Sequence, residues 1–181
     1  MALWQYDFSL VPEYGMIQKC GFVPGRIDDY FCVDDPETFF DPPSFWAEFD
    51  SEAALGEELK IILGKLDSCI KDAIMFGSDD GNKVTIWKEG DVNCRFDLRN
   101  PDLEILESIL RLARKNKCKV LSHPSHKVIE PVMIEVTMDI RESGAYKFCK
   151  NPKEYLSSMA KDNHESEQDD LGNADKPHFQ S

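Results

Sequence analysis

The sequence predicts an α+β fold: an antiparallel sheet around a central β-hairpin, with helices packed mainly on one face. Three stretches predict it. Val84, Ile86 and Trp87, the tight turn Glu89-Gly90-Asp91, and then Val92, Cys94, Phe96 and Leu98 describe two strands joined as a hairpin. A helix over 102–117 follows, with Asn100 as its cap and Pro101 at its first position. Asp102 and Glu104 suit the positive end of its dipole and Arg111, Arg114, Lys115 and Lys117 the negative end; Leu103, Leu106, Ile109, Leu110 and Ala113 form its buried stripe. Leu3 to Val11 alternates in Trp4, Tyr6, Phe8 and Leu10, the period of a half-buried strand, and Pro12 ends it.

The remaining elements follow in order. From Tyr14 to about Asp50 no period is sustained, and prolines at 24, 36, 42 and 43 break any long helix or central strand. Within it, Ile27 to Val33 fits a short edge strand. Seven aromatics (Tyr30, Phe31, Phe39, Phe40, Phe45, Trp46, Phe49) imply that the stretch packs on the body. Ser51 caps a helix over 52–68, with Ala54, Leu55, Leu59, Ile62, Leu63 and Leu66 at helical spacing and Gly56 and Gly64 as weak interior points. Ile74 to Phe76 reads as a short strand and Ser78 to Asn82 as a turn. Lys119 to Ser122 reads as a strand, and the His-Pro-Ser-His tract turns toward Val128 and Ile129. Residues 132–140 alternate as a strand would, but Pro131 before them and Arg141-Glu142-Ser143-Gly144 after them favour a helix over 131–143. One or two helical turns follow Asn151-Pro152. Residues 160–181 carry six acids against two lysines with almost no apolar content, so 1–158 is expected to be one domain and 159–181 a disordered acidic tail.

Composition narrows the function. Apolar residues make up 41% of the 181-residue chain, enough to offset the entropy of ordering one domain. The formal charge of −13 repels phosphate backbones and anionic lipid heads, which argues against nucleic-acid and membrane binding. No stretch has the roughly 18–20 apolar residues of a membrane span, and the N-terminus lacks a basic region followed by an apolar run. Six cysteines without a CxxC pair read as reduced thiols, and the expected location is cytoplasmic.

Chemistry-bearing groups are few. Cys118, His123 and His126 match no closed zinc spacing and read as a helix-end cysteine with surface histidines. Asp79-Asp80-Gly81-Asn82 lacks the ligand register of a calcium loop and reads as a turn. Asp28-Asp29 and Asp34-Asp35 are adjacent acids in a loop, which are ordinarily solvated. No phosphate-cradling loop, GxSxG or HExxH is present, so no catalytic residue, metal or cofactor is assigned. What stands out is residues 27–58, which hold eleven acids, no Lys or Arg, and the seven aromatics. Asp28, Asp29, Tyr30, Asp34, Asp35, Glu37, Phe40, Asp41, Trp46, Glu48 and Asp50 are the candidate contacts to a basic protein partner, with aromatics as anchors and carboxylates as discriminating charge. The competing reading takes the aromatics as core and the acids as a solvated face.

Trp4 to Pro12, Arg95-Phe96-Asp97-Leu98-Arg99-Asn100-Pro101-Asp102-Leu103, Val128-Ile129-Glu130-Pro131 and Ser143-Gly144-Ala145-Tyr146-Lys147-Phe148 together resemble a group of small bacterial proteins similar to cytoplasmic immunity proteins of polymorphic or contact-delivered toxin systems. The resemblance spans most of residues 3–156, rests on structural positions and carries no catalytic residues. It implies a binding protein that neutralises a cognate basic toxin by stoichiometric complex formation. Two other classes stay open: a small enzyme or ligand-binding domain with a pocket between sheet and aromatic loop, using Cys94 or Cys118 with a histidine, and an adaptor subunit of a larger assembly.

Overall fold

The computed structural model describes residues 2–28, 45–67 and 70–159. Seven strands form one sheet in the order β2-β3-β4-β5-β1-β6-β7, with every neighbouring pair antiparallel. They are β1 (Gln5–Pro12), β2 (Lys65–Leu66), β3 (Ala73–Gly77), β4 (Lys83–Trp87), β5 (Val92–Asp97), β6 (Cys118–Ser122) and β7 (Val128–Ile129). The helices are α1 (Glu13–Cys20), α2 (Ser51–Leu63), α3 (Leu103–Lys115), α4 (Met133–Glu142), α5 (Gly144–Lys150) and α6 (152–159). The fold is α+β, with the β4-β5 hairpin inside the sheet and β1 inserted between β5 and β6.

The strand period divides the sheet into two unlike faces. On one, Tyr6, Phe8 and Leu10 lie level with Phe96, Cys94 and Val92 of β5, and Val84 and Ile86 continue the rows onto β4. Leu55 and Leu59 of α2, Leu106, Ile109, Leu110 and Ala113 of α3, and Val136 and Ile140 of α4 close over this face in one cluster. Leu55 and Leu59 are fully buried, which is worth about 1.5–3 kcal/mol each in transfer free energy. On the second face, Val11 and Leu121 meet Met16 of α1 and Phe45 in a smaller cluster. Beyond it that face carries Asp7, Ser9, Asn93, Arg95, Lys83 and Thr85 in adjacent register, flanked by Met75 and Trp87.

One buried polar group crosses the larger core. Asp139 of α4 accepts hydrogen bonds from Tyr6 (2.7 Å) and Ser122 (2.5 Å), tying α4 to β1 and β6. Burial raises the Tyr6 pKa, so its hydroxyl remains a donor through neutral and alkaline pH.

Several boundaries depart from expectation. The helix expected over 52–68 ends at Leu63, because Gly64 takes a left-handed φ of 76° as its cap and Lys65 and Leu66 pair with Phe76 and Met75 as β2. Asp50 rather than Ser51 caps it, accepting from the Ala53 N–H at 2.9 Å. Asp102 rather than Asn100 caps α3, accepting from the N–H groups of Glu104 and Ile105. The ambiguous stretch is the helix α4, and α5 adds a helix where none is expected, capped by Ser143. α1 likewise interrupts a region read as aperiodic. Of the edge strand expected over 27–33, the structure describes only Ile27 and Asp28, beside the Arg26–Lys127 bridge, and neither is in a strand. The expected disordered tail lies outside the described residues but for Met159, the last residue of α6.

Candidate functional site

Asp29, Tyr30, Asp34, Asp35, Glu37, Phe40 and Asp41 lie outside the described residues; Asp28, Trp46, Glu48 and Asp50 lie within them. Asp28 is exposed and is bonded by Arg26 at 2.8 Å, with His126 Nδ1 at 3.2 Å; the Arg26 hydrogen bond holds its carboxyl below the usual range. Trp46 is 3% exposed, and its indole N–H donates to the Leu10 carbonyl at 2.8 Å, so its ring serves the core rather than the surface. Glu48 accepts from Gln18 of α1 at 2.7 Å, and Asp50 caps α2. Glu48 thus stands beside α1, and Asp50 at the start of α2. Asp28 lies at the β7 edge, and no hydrogen bond or ion pair among the described residues joins it to them.

Between α1 and the start of α2 the chain forms a groove of about 700 Å³, whose lining includes neither Glu48 nor Asp50. Pro12 ends β1 and reverses the chain into α1, which Gly21 closes with a φ of 80°. Gly15 lets α1 lie against the backbone of Phe45: a Cβ there would meet the Phe45 carbonyl oxygen at 1.9 Å. This approach sets Tyr14 and Ile17 opposite Phe49. Tyr14 and Phe49 meet edge to face at 5.5 Å, and Phe49 meets the buried Trp46 at 6.5 Å. Tyr14, Ile17 and Phe49 remain 53%, 44% and 41% exposed, so large apolar surface faces water at one place. Glu13 and Lys117 line the groove as one carboxylate and one cation, and Glu48 reaches its Tyr14 side through Gln18.

Sequence reasoning missed Tyr14 and Ile17, because an eight-residue helix gives too few turns to show a period. The readable signal was local: Pro12 before the segment and Gly21 after it bracket a helix of that length.

Reactive chemistry finds little support. Cys94 and Cys118 point into the larger core; burial pushes Cys118 up to about 12 and raises Cys94 as well, so neither supplies a thiolate near neutrality. Among the described residues no group of three or more His, Cys, Asp or Glu side chains is placed to hold a metal ion. Asp79 pairs with Lys83, and Asn82 accepts from the Asp97 N–H, so the turn 78–82 serves the β3-β4 hairpin. Ser9 and His123 come within 2.7 Å, with Asn93 Oδ1 2.8 Å from the same hydroxyl. A serine nucleophile also needs donors for the oxyanion. Here Ser9 sits in mid-strand between β5 and β6, where backbone N–H groups serve the sheet ladder. The trio is a hydrogen-bonded brace across three strands.

No helix among the described residues is long and apolar enough to cross a membrane. Compared with protein-family models, curated proteins and solved structures, the chain finds no match.

Proposed function

We propose that this protein is a stoichiometric binding domain of the immunity type, which neutralises a basic partner protein by docking it on the groove between α1 and the start of α2. The observation that carries the reading is the groove itself: three exposed apolar side chains, Tyr14 and Ile17 on α1 and Phe49 just before α2, with Glu13 in the lining and Glu48 bonded to Gln18 of α1. Aromatic anchors supply contact area at low entropic cost, and carboxylates favour a cationic partner while speeding encounter. The net charge of −13 acts in the same direction at longer range. A toxin acting on nucleic acid presents such a basic surface. The buried thiols and the missing oxyanion donors count against the enzymatic alternative.

The test is co-expression with the product of the adjacent gene, followed by light scattering on the size-exclusion eluate. A one-to-one complex is expected, weakened by salt. Phe49→Ala should weaken it by about tenfold to thirtyfold, the loss of one anchor of about 1.5–2 kcal/mol. Glu48→Lys should lower the association rate more than it raises the dissociation rate. Absence of a complex, or a complex indifferent to both substitutions, refutes the reading.

A further inference from the structure

The polar half of the second sheet face holds a cleft of about 340 Å³ that shares no residue with the groove. Its lining divides in two. Lys83, Thr85, Asn93 and Arg95 form a polar floor on β4 and β5, and Ile70, Met75 and Trp87 form an apolar wall. Asp7 and His123 close the β1 side.

The floor is electrostatically unfinished. Lys83 and Arg95 are direct cross-strand partners, an arrangement in which like charges repel. Lys83 has Asp79 at 3.1 Å on its outer side. Among the described residues Arg95 has only Asp7, whose Oδ1 lies 3.5 Å from Nε, and that buried nitrogen makes no hydrogen bond to them. By contrast Arg99 grips both oxygens of Asp97, and Arg114 reaches Glu107 and the Pro131 carbonyl. A guanidinium offers five N–H donors in a fork that fits a carboxylate or phosphate, and two-thirds of this side chain is out of water. An anion seated between Arg95 and Lys83 would relieve the repulsion and satisfy the fork. The Asn93 amide and the Thr85 hydroxyl stand in the adjoining row to bond it further.

We propose that this cleft binds a small organic anion, with its carboxylate or phosphate group on Arg95 and Lys83 and its apolar or aromatic body against Trp87, Met75 and Ile70. The volume lies at the lower end of the roughly 300–1,000 Å³ of small-molecule sites, which suits a single ring with one charged group.

The experiment titrates the full-length, isotopically labelled protein with benzoate, phenyl phosphate, inorganic phosphate and benzyl alcohol. The readouts are the Arg95 Nε–H, the Asn93 amide and the Trp87 indole resonances. Saturable binding of benzoate or phenyl phosphate is expected, at least about tenfold tighter than the uncharged benzyl alcohol. Whichever of the two binds tighter identifies a carboxylate or a phosphate ester as the natural charged group. Arg95→Gln should weaken binding by about tenfold or more, and Arg95→Lys by less, since it keeps the charge and loses the fork. The proposal is overturned if no probe saturates the wild-type protein, a result that does not depend on either variant folding. It is overturned equally if folded Arg95→Gln binds as the wild type does, or if inorganic phosphate matches phenyl phosphate and so leaves the apolar wall without a role.

Discussion

Replacing Asp139 with alanine removes a carboxylate buried against the larger core, and the structure sets the size of the effect. Asp139 is 4% exposed and accepts from two buried hydroxyls, those of Tyr6 and Ser122. Hydrogen bonds to a charged acceptor contribute about 1.5–3 kcal/mol each, and the substitution takes that acceptor from both hydroxyls, though Ser122 Oγ still accepts from the Ser125 N–H at 3.4 Å. Against this, the wild type already carries a cost. Oδ1 makes no hydrogen bond, and Lys127 approaches only to 3.8 Å, so deletion also removes a poorly compensated buried charge. The net loss should be about 2–4 kcal/mol, or about 4–16 °C in Tm for a chain of this size. Asp139→Asn keeps an acceptor and the shape, and should cost about 1–2 kcal/mol. Urea denaturation at neutral pH measures both. A double-mutant cycle with Tyr6→Phe should show coupling of about 1 kcal/mol. If Asp139→Ala lies within about 0.5 kcal/mol of wild type, or if the cycle is additive, the brace from α4 to the sheet contributes nothing measurable.

Three further outcomes follow from the same geometry. Burial lowers the His123 pKa from its usual 6.5, so the fold prefers the neutral ring. The stabilisation this gives is full above the unfolded value and is lost as pH falls below it; stability should decline as pH falls below about 6.5, and His123→Gln should flatten that limb. Asp28 and Asp97, whose folded pKa values are lowered chiefly by hydrogen bonds from arginine, lose their contributions only near and below 3.8, so the two windows separate. Under native conditions a thiol reagent followed by peptide mass spectrometry should modify exposed Cys20 while sparing Cys94 and Cys118; modification of all three at similar rates would contradict the burial. Gly15→Ala should shift α1 away from Phe45, destabilise the protein by about 1–3 kcal/mol in thermal melts and weaken partner binding at the groove; an unchanged melt would mean that the helix has room the geometry denies it.

The parts of the fold that could be read were those in which one signal dominates. The β4-β5 hairpin alternates around a turn, and α3 has an apolar stripe with acids first and bases last. Where two physical roles share a residue type, sequence reading divides. Gly56 and Gly64 look alike in the chain, yet one sits inside α2 and the other ends it in a left-handed conformation. Val132, Ile134, Val136, Met138 and Ile140 alternate perfectly, but Ile134 and Met138 face water on a helix while Val136 and Ile140 are buried. The acids divide in the same way. Asp50 is spent on a helix cap, Asp28 on Arg26, and Glu48 on Gln18 beside the groove. A count of charges cannot separate these fates, because each depends on which N–H or cation the fold brings near.

The second sheet face explains why its site was the least legible. Alternation in β1 and β5 puts Asp7, Ser9, Asn93 and Arg95 on the side that a half-buried strand turns toward water, so they read as solvent-facing residues needing no partner. In the structure Asp7 and Ser9 are buried, and burying such groups is costly unless each is bonded. Ser9 meets this requirement through Asn93 and His123, and Asp97 meets it through Arg99. Arg95 does not, and Lys83 beside it makes its environment worse. Packing cannot account for that pair, since a neutral side chain at either position would remove the repulsion and lose little apolar contact. Asp79 and Asp7 offset each cation from outside, but the two still face one another across the strands, and an anion between them would relieve that repulsion.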